Sequence, residues 1–525
     1  MYQKSKKIVV LGGGSAGWMT ALYFNKTFPN IQVTVIEDPN QPPIIAGESG
    51  STVFTSFLEY LGINLDNWIV AVNAMPKLGS EFYDWDEIGT KFTHGMVNLN
   101  YNQEWLSRHK GVRSARDFSD HTSKDFILAA IVEEIPLETL FFCSGLIHNN
   151  KLPITPVPND YLPHVPAGKE TQYSQFVNFM WHFDSRANAD YLKSIGLKKG
   201  ITLVEGKYLD SVQTKSGDID YLILDNNRTI KGDFFFDCSG FARLLTQKKL
   251  GVKFDEFTDI FPARSVVAWW DDTPNWINHT QVYAMEYGWS WNINLHHRAG
   301  NGYIYDPDLI SSNIALNEAE KRFGKKIDPV ASVTFTPSIV KKCWHKNVIA
   351  IGISSGFLEP LEANGLGSVI VGIGLIDRLW GFDATPWEVE IFNDEFYSFQ
   401  LETMDFLSLH YRGHRRDTEF WRSHAYEKKR TTLRLKNMVA AWGQGSVPND
   451  SKNLNIYGYE SYIQVLAGLN LINKDKLKEK LLTKNSKLIL EFYESYYKLN
   501  STVYKITQTG LDTTIWEKAV YGSNN

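Results

Sequence analysis

Cysteine is scarce in this chain: Cys143, Cys238 and Cys343 are the only three in 525 residues. They stand far apart in apolar or aromatic surroundings and form no CxxC. That argues against a disulfide framework or a thiolate zinc site, and for reduced, buried thiols in a cytoplasmic protein. Charge of one sign is also lacking. A net charge of −5 and a pI near 6.3 give no basic footprint for nucleic acid, and Lys4-Ser5-Lys6-Lys7 reads as a solvated lead-in to a strand. No basic, apolar, small-residue leader opens the sequence. The longest apolar run, Leu366 to Ile376, is interrupted by glycines and is shorter than the roughly 20 residues of a bilayer span, so it reads as a buried helix and no membrane partner is expected. HExxH, Walker and paired-CxxC signatures are absent, and with them the usual marks of zinc proteases and P-loop enzymes. No internal repeat or low-complexity stretch is visible.

What is present is a large stock of core residues, 43% hydrophobic, with aromatics at 14% including 16 Trp. This is enough for two or three domain-sized modules, and it suits either large cores or a flat apolar ligand. The chain opens with an apolar run, Lys7 to Leu11, then Gly12-Gly13-Gly14-Ser15-Ala16-Gly17, then apolar residues at helical spacing from Trp18 to Phe24. The pattern is strand, glycine turn, helix. Gly12 serves the tight turn, Gly14 the backbone approach to a pyrophosphate, and Gly17 the packing of helix on strand, with Ser15 and Ala16 at the helix N-terminus. A second strand, Ile31 to Ile36, ends in Glu37, about 20 residues beyond the last glycine, where an acid binds ribose hydroxyls. A dinucleotide is expected, and the turn alone does not choose between NAD and FAD.

The chain returns to this module twice. Phe234-Phe235-Phe236-Asp237-Cys238-Ser239-Gly240 brings a second glycine loop, and Val348 to Gly352 a third, an arrangement that suits FAD. Between the returns, Phe57 to Ala74 and Trp181 to Lys193 read as helical, and Tyr221 to Leu224 with Asn226-Asn227 as a hairpin. Residues 255–330 alternate like an antiparallel sheet, and the chain from about Trp380 onward reads as mostly helical. GxSxG occurs twice, at Gly13 to Gly17 and Gly352 to Gly356. The first lies inside the dinucleotide turn and the second runs into a proline and two acids, so a nucleophile elbow is disfavoured.

That second stretch, Ser354 to Gly367, concentrates Glu359, Pro360, Glu362 and several glycines just before an apolar helix. A helix N-terminus there offers free N–H groups and partial positive charge, which suits a halide or the negative edge of a reduced flavin.

Together, Gly12 to Trp18, Asp237 to Phe241, Gly288-Trp289-Ser290-Trp291-Asn292-Ile293 and Gly356-Phe357-Leu358-Glu359-Pro360-Leu361-Glu362 resemble flavin-dependent halogenases of the tryptophan halogenase family, through most of the chain. Gly302 to Tyr305, His410-Tyr411 and Arg416 to Trp421 add to the likeness. The family's WxWxIP motif has one departure, Asn294 in place of proline.

The resemblance implies an α/β fold: a discontinuous Rossmann-like FAD-binding domain with an inserted antiparallel sheet and a helical C-terminal substrate-binding region. The FAD module would take residues 1–76, 170–252 and 335–380, and the substrate module 77–169, 253–334 and 381–525. It further implies reduced FAD from a separate flavin reductase, and hypohalous acid made from chloride, bromide or iodide that travels through a tunnel to a small aromatic substrate, indole or phenol-like. Lys77 maps onto the catalytic lysine and Glu362 onto the substrate-facing carboxylate. Asn364 and Gly365 map onto the halide-binding backbone, and Trp289, Trp291, Phe357 and Pro360 onto the tunnel motifs. Glu48, Val204, Ser239, Gly240, Ile353 and Leu366 join the first glycine turn and Glu37 in holding FAD; no metal is implied.

Where tryptophan-specific members carry Ser-Thr after the glutamate, this chain has Ala363-Asn364. No clamp for an amino-acid group is legible in the C-terminal third, where only Trp442 to Gly445 aligns, so a substrate other than free tryptophan is expected. The alternatives are a flavin hydroxylase or epoxidase, against which the late strand lacks a Gly-Asp pair, and a silent flavin-binding protein, against which Lys77 and Glu362 are both present. A homo-oligomeric state stays open.

Overall fold

The computed structural model describes residues 6–41, 49, 50, 52–95, 127–152, 154–156, 171–173, 180–379, 381–446, 457–484, 489, 492, 493, 496, 507, 508 and 510–522. Glu48 and most of the proline-rich stretch from Leu152 to Ala167 lie outside them.

β1 (Lys7–Leu11), α1 (Ser15–Thr27) and β2 (Gln32–Glu37) form the opening unit. The β-branched run of β1 is buried from Ile8 to Leu11, because strands lie on both sides and helices cover the sheet. β2 runs parallel to it with Val10 opposite Val35, and the returning strand Phe234–Asp237 runs parallel on the other side with Val10 opposite Phe236. Thr202–Glu205 and Val348–Ala350 extend the sheet in parallel, and Trp344–His345 closes it antiparallel, six strands in all. The cofactor-type sheet is therefore discontinuous in sequence, as read.

Seven strands make the second sheet, in the order Pro329–Thr334, Ser265–Asp271, Ala299–Tyr305, Gly288–Asn294, Thr280–Ala284, Gly79–Tyr83 and Lys91–Gly95. Its pairs are antiparallel except one: Thr280–Ala284 lies parallel to Gly79–Tyr83. The helix Pro386–Leu409 leads the C-terminal helical region. Pro386 pre-sets its first turn, and the Thr385 hydroxyl and Glu388 carboxylate cap it reciprocally, a device worth about 1 kcal/mol. Its Phe392, Phe396 and Phe399 are buried in the core that also holds Ile8, Val10 and Leu78. Among the described residues no helix is long and apolar enough to cross a membrane, and the three cysteines are free.

Local expectations fail in three places. Met180–His182 is a strand paired with Met75–Lys77, and the helix begins at Ser185, because Asp184 caps it by accepting from the Arg186 and Ala187 N–H groups. The stretch 255–330 contains a helix, Ser312–Phe323, closed by Gly324 at φ +65°. The single helical run from Phe57 to Ala74 is two helices, Thr52–Leu61 and Leu65–Ala71, parted at Gly62 and recapped by Asn64.

Candidate active site

Lys77 ends a three-residue strand at the point where the chain passes from a small sheet into the seven-stranded one. Gly79 permits the passage, since a β-carbon there would lie 2.4 Å from the His94 carbonyl oxygen. The lysine is 2% exposed and donates to the Ser49 hydroxyl at 3.1 Å, which excludes the ordinary surface role of a lysine. Burial lowers its pKa from 10.5 to about 8, against the opposing pull of the Glu362 charge. On the adjacent strand, burial first and the Lys77 charge second push the His182 imidazole well below its usual range.

Glu362 sits at φ +63°, and Ala363 beside it at φ +52°, two consecutive left-handed residues with side chains. Each costs on the order of 1–2 kcal/mol, a strain that surrounding contacts must hold in place. The contacts are visible. His94 Nδ1 lies 2.8 Å and His410 Nε2 3.1 Å from the same oxygen, Oε1, and the Tyr457 hydroxyl donates to the Glu362 carbonyl at 3.2 Å. Burial alone would raise this carboxyl. The two imidazoles, by charge and hydrogen bond, outweigh it and hold the group well below the usual carboxylate range. Phe406 stacks on Tyr457 at 4.0 Å, and Phe82 stacks on Phe92 at 4.8 Å and lies 5.1 Å from the His410 ring, so the residues that hold the carboxylate stand among aromatic rings. The donor atoms of His94, Glu362 and His410 lie within 4.8 Å of one another, a two-histidine, one-carboxylate set, and each is engaged in a hydrogen bond to another member.

Glu359, three residues earlier, has the opposite environment. Fully buried, it accepts from the Tyr411 hydroxyl at 2.5 Å, and burial pushes it up to about 8 despite that bond. One segment thus carries a neutral acid facing the core and an ionised one electrostatically coupled to Lys77.

On the other side of the segment, the helix Asn364–Arg378 starts with no side-chain cap. A β-carbon on Gly365 would meet nothing within 4 Å, and Asn364 and Gly365 line a cleft with Ile353, Phe357, Ser368 and Gln400. Leu366 follows, partly buried against the main core.

The first glycine turn fits a dinucleotide. Gly12 has φ +125°, and a β-carbon would lie 2.2 Å from the Cys238 oxygen; one on Gly17 would lie 1.9 Å from the Gly12 oxygen; one on Gly14 would meet nothing within 4 Å. α1 begins at Ser15 with no side-chain cap, so open space lies before uncapped N–H groups, a cradle for a diphosphate. Ser15 is braced by the Asn188 amide, Ala16 packs toward Gly352, and Glu37 pairs with Lys193 at 2.7 Å. The second loop is tied down by Asp237, which accepts from the Leu245 and Thr246 N–H groups and the Ser239 hydroxyl, while Ser354 donates to the Gly240 carbonyl. The Ser239 and Val204 side chains are therefore committed to the protein, Val204 to the core beside Val9 and Leu11.

Trp289 and Trp291 share a face, their rings 5.7 Å apart, and Pro360 is partly buried beside Glu359. Asn294, in the place of the motif's proline, lies opposite Ala299 on the adjacent strand and accepts from the Asn275 N–H at 2.7 Å. His94 escaped the sequence reading altogether, and His410 entered it only as a family likeness. A lone histidine on a strand gives no local sign of a partner far along the chain.

Comparison with known proteins points one way. A family model described as tryptophan halogenase matches residues 7–133 and 148–482. The tryptophan 7-halogenase RebH of Lentzea aerocolonigenes is 28% identical over 508 residues, 90% of this chain and 91% of the relative. The tryptophan 7-halogenase KtzQ of a Kutzneria species is 30% identical over 439 residues, 80% of this chain and 78% of the relative. In fold, the flavin-dependent halogenase Xcc4156 of Xanthomonas campestris superposes with TM-score 0.79 at 24% identity, covering 96% of each chain.

Proposed function

The chain belongs to the tryptophan halogenase family, and on that footing we propose how its residues divide the work. It is an enzyme, a flavin-dependent halogenase that uses FAD, oxygen and a halide on an aromatic substrate. Reduced FAD, when bound, would give two electrons to oxygen and so activate it as the oxidant that turns halide into hypohalous acid.

In our reading Gly12, Gly14, Ser15, Ala16, Gly17 and Glu37 hold the dinucleotide end of FAD, with Ser239, Gly240, Ile353 and Leu366 around it and Val204 contributing its main chain. The N–H groups of Asn364 and Gly365 hold the halide, whose charge the helix N-terminus favours. Trp289, Trp291, Phe357 and Pro360 wall the passage from there to the substrate. Lys77, an ammonium at neutral pH, donates to hypohalous acid and holds its halogen beside the substrate ring. Glu362 stabilises the positive charge that develops on that ring. The same carboxylate accepts the proton that the ring gives up as its aromaticity returns, since the cationic ring is a far stronger acid than a carboxylic acid. A separate flavin reductase supplies the reduced flavin, an arrangement common in the family. The substrate is a free, electron-rich aromatic, indole or phenol-like.

The observation that carries this reading is a fully buried lysine whose pKa, lowered by desolvation, is countered by the charge of Glu362. Buried charges of opposite sign match a reaction whose reagent is electrophilic and whose intermediate is cationic. The test is incubation with FAD, a flavin reductase, an NADH supply, bromide and a panel of indoles and phenols, with products weighed by mass spectrometry. Brominated product is expected. A gain of one oxygen without bromine, or no product from any member of the panel, would overturn the reading.

A further inference from the structure

We infer that His94 and His410 are positioning residues that clamp Glu362 through a single oxygen and so fix where its carboxylate charge stands. The inference rests on the reading of Glu362 as the residue that faces the substrate. Both imidazoles reach Oε1, at 2.8 and 3.1 Å, and Oε2 enters neither bond. They come from different elements. His94 lies on the strand Lys91–Gly95, whose last residue is pinned by Gln464, which accepts from the Gly95 N–H at 3.0 Å and donates to its carbonyl at 3.2 Å. His410 follows the long helix Pro386–Leu409 and is fully buried.

His410 has acceptors on both sides: the Phe406 carbonyl lies 3.0 Å from Nδ1 and the Glu362 carboxylate 3.1 Å from Nε2. A carbonyl oxygen only accepts, and so does an ionised carboxylate. Each ring nitrogen of His410 thus faces an acceptor, so the ring is held in one orientation from both sides. Lys77 adds a positive charge acting on the same carboxylate, and Tyr457 holds the residue's carbonyl. A glutamate in a left-handed conformation, gripped at one oxygen from two elements, is over-determined in position, which is what a group aimed at a transient charge requires.

The test uses the full-length enzyme with FAD, a reductase, bromide and indole. His94→Phe and His410→Phe remove the donors and keep a ring. Each should retain FAD and oxygen consumption with KM for indole near wild type, while kcat falls on the order of 10²-fold, the usual result of displacing a catalytic group by about 1 Å. Hypohalous acid should escape to a thiol scavenger in proportion. His94→Asn and His410→Gln carry an amide N–H near the lost Nδ1 and Nε2, and should recover most of the rate. His410→Asn, too short to reach Oε1, replaces the Phe variant if that fails to fold. Wild-type kcat in the donor-less variants would overturn the clamp, as would equal loss in the amide variants. Stoichiometric zinc or iron in the purified wild type, lost from every variant, would also overturn it by making the three residues a metal site. Lys77→Ala and Glu362→Gln run alongside: if these retain halogenation, the reading of the whole site fails; if only the histidine variants do, the clamp alone fails.

Discussion

Gly302 and Trp291 face each other on adjacent strands, and the indole occupies the space of the missing side chain: a β-carbon on Gly302 would lie 2.2 Å from Cζ2. Gly302→Ala must therefore move Trp291 off its strand. We expect a loss of about 1–3 kcal/mol in stability from overpacking, together with less halogenated product per oxygen consumed. Unchanged product yield, measured with an oxygen electrode and chromatography, would remove Trp291 from the passage.

Lys77→Ala should bind FAD and consume oxygen yet form no halogenated product when a scavenger of free hypohalous acid is present. In the wild type, the ammonium is lost as pH rises through about 8, so halogenation should decline above that point while oxygen consumption does not. Wild-type halogenation by Lys77→Ala under the scavenger would refute the role.

Stability should move the other way. The lysine's pKa is about 8 folded and 10.5 unfolded, so between these values the unfolded state binds more protons. Burying the ammonium costs on the order of 3 kcal/mol at neutral pH, a cost that disappears as pH rises from about 8 to 10.5. Lys77→Met should accordingly raise the melting temperature at pH 7, with a gain that shrinks toward pH 10. A lower melting temperature at pH 7 would count against the depressed pKa.

Two acids in one segment should respond differently. Glu359, pushed up to about 8, is neutral at pH 7, so Glu359→Gln replaces like with like and should leave kcat within a few-fold. Glu362→Gln removes a carboxylate that is ionised and should lower kcat on the order of 10²- to 10³-fold with FAD retained. Equal losses in steady-state kinetics would contradict the division.

Gly14→Val should fold normally and lose FAD, because a β-carbon there meets no protein atom. Gly17→Ala should unfold more readily, since its β-carbon would collide with the Gly12 oxygen. Absorbance of the cofactor released from each variant, with thermal melts of both apoproteins, separates the cases.

Simple indole should be turned over more efficiently than tryptophan, for want of a legible clamp on the amino-acid group. A higher kcat/KM for tryptophan would reverse this expectation.

The fold was most legible where a local rule repeats. The glycine turn, the acid ending β2 and the apolar returns at Phe234 and Val348 each announce a strand of the six-stranded sheet. The Ser312–Phe323 helix was hidden because its buried face is made of Ala315 and Ala319, too small to stand out against alternating neighbours. Trp181 and His182 sit just before a good N-cap and were absorbed into the helix that Asp184 starts. At the site, Lys77 and Glu362 were found by family likeness. His94 was not, because its meaning lies in a contact made only when the Lys91–Gly95 strand meets the turn after Pro360.

That turn also ties two sites together. Two left-handed residues place an anion-repelling carboxylate directly beside a helix start that attracts anions. On the proposed assignment, the halide's seat at Asn364 and Gly365 and the carboxylate at Glu362 are two ends of one turn. A change that relaxed the left-handed pair would then shift both at once, and halide capture and ring chemistry would fail together.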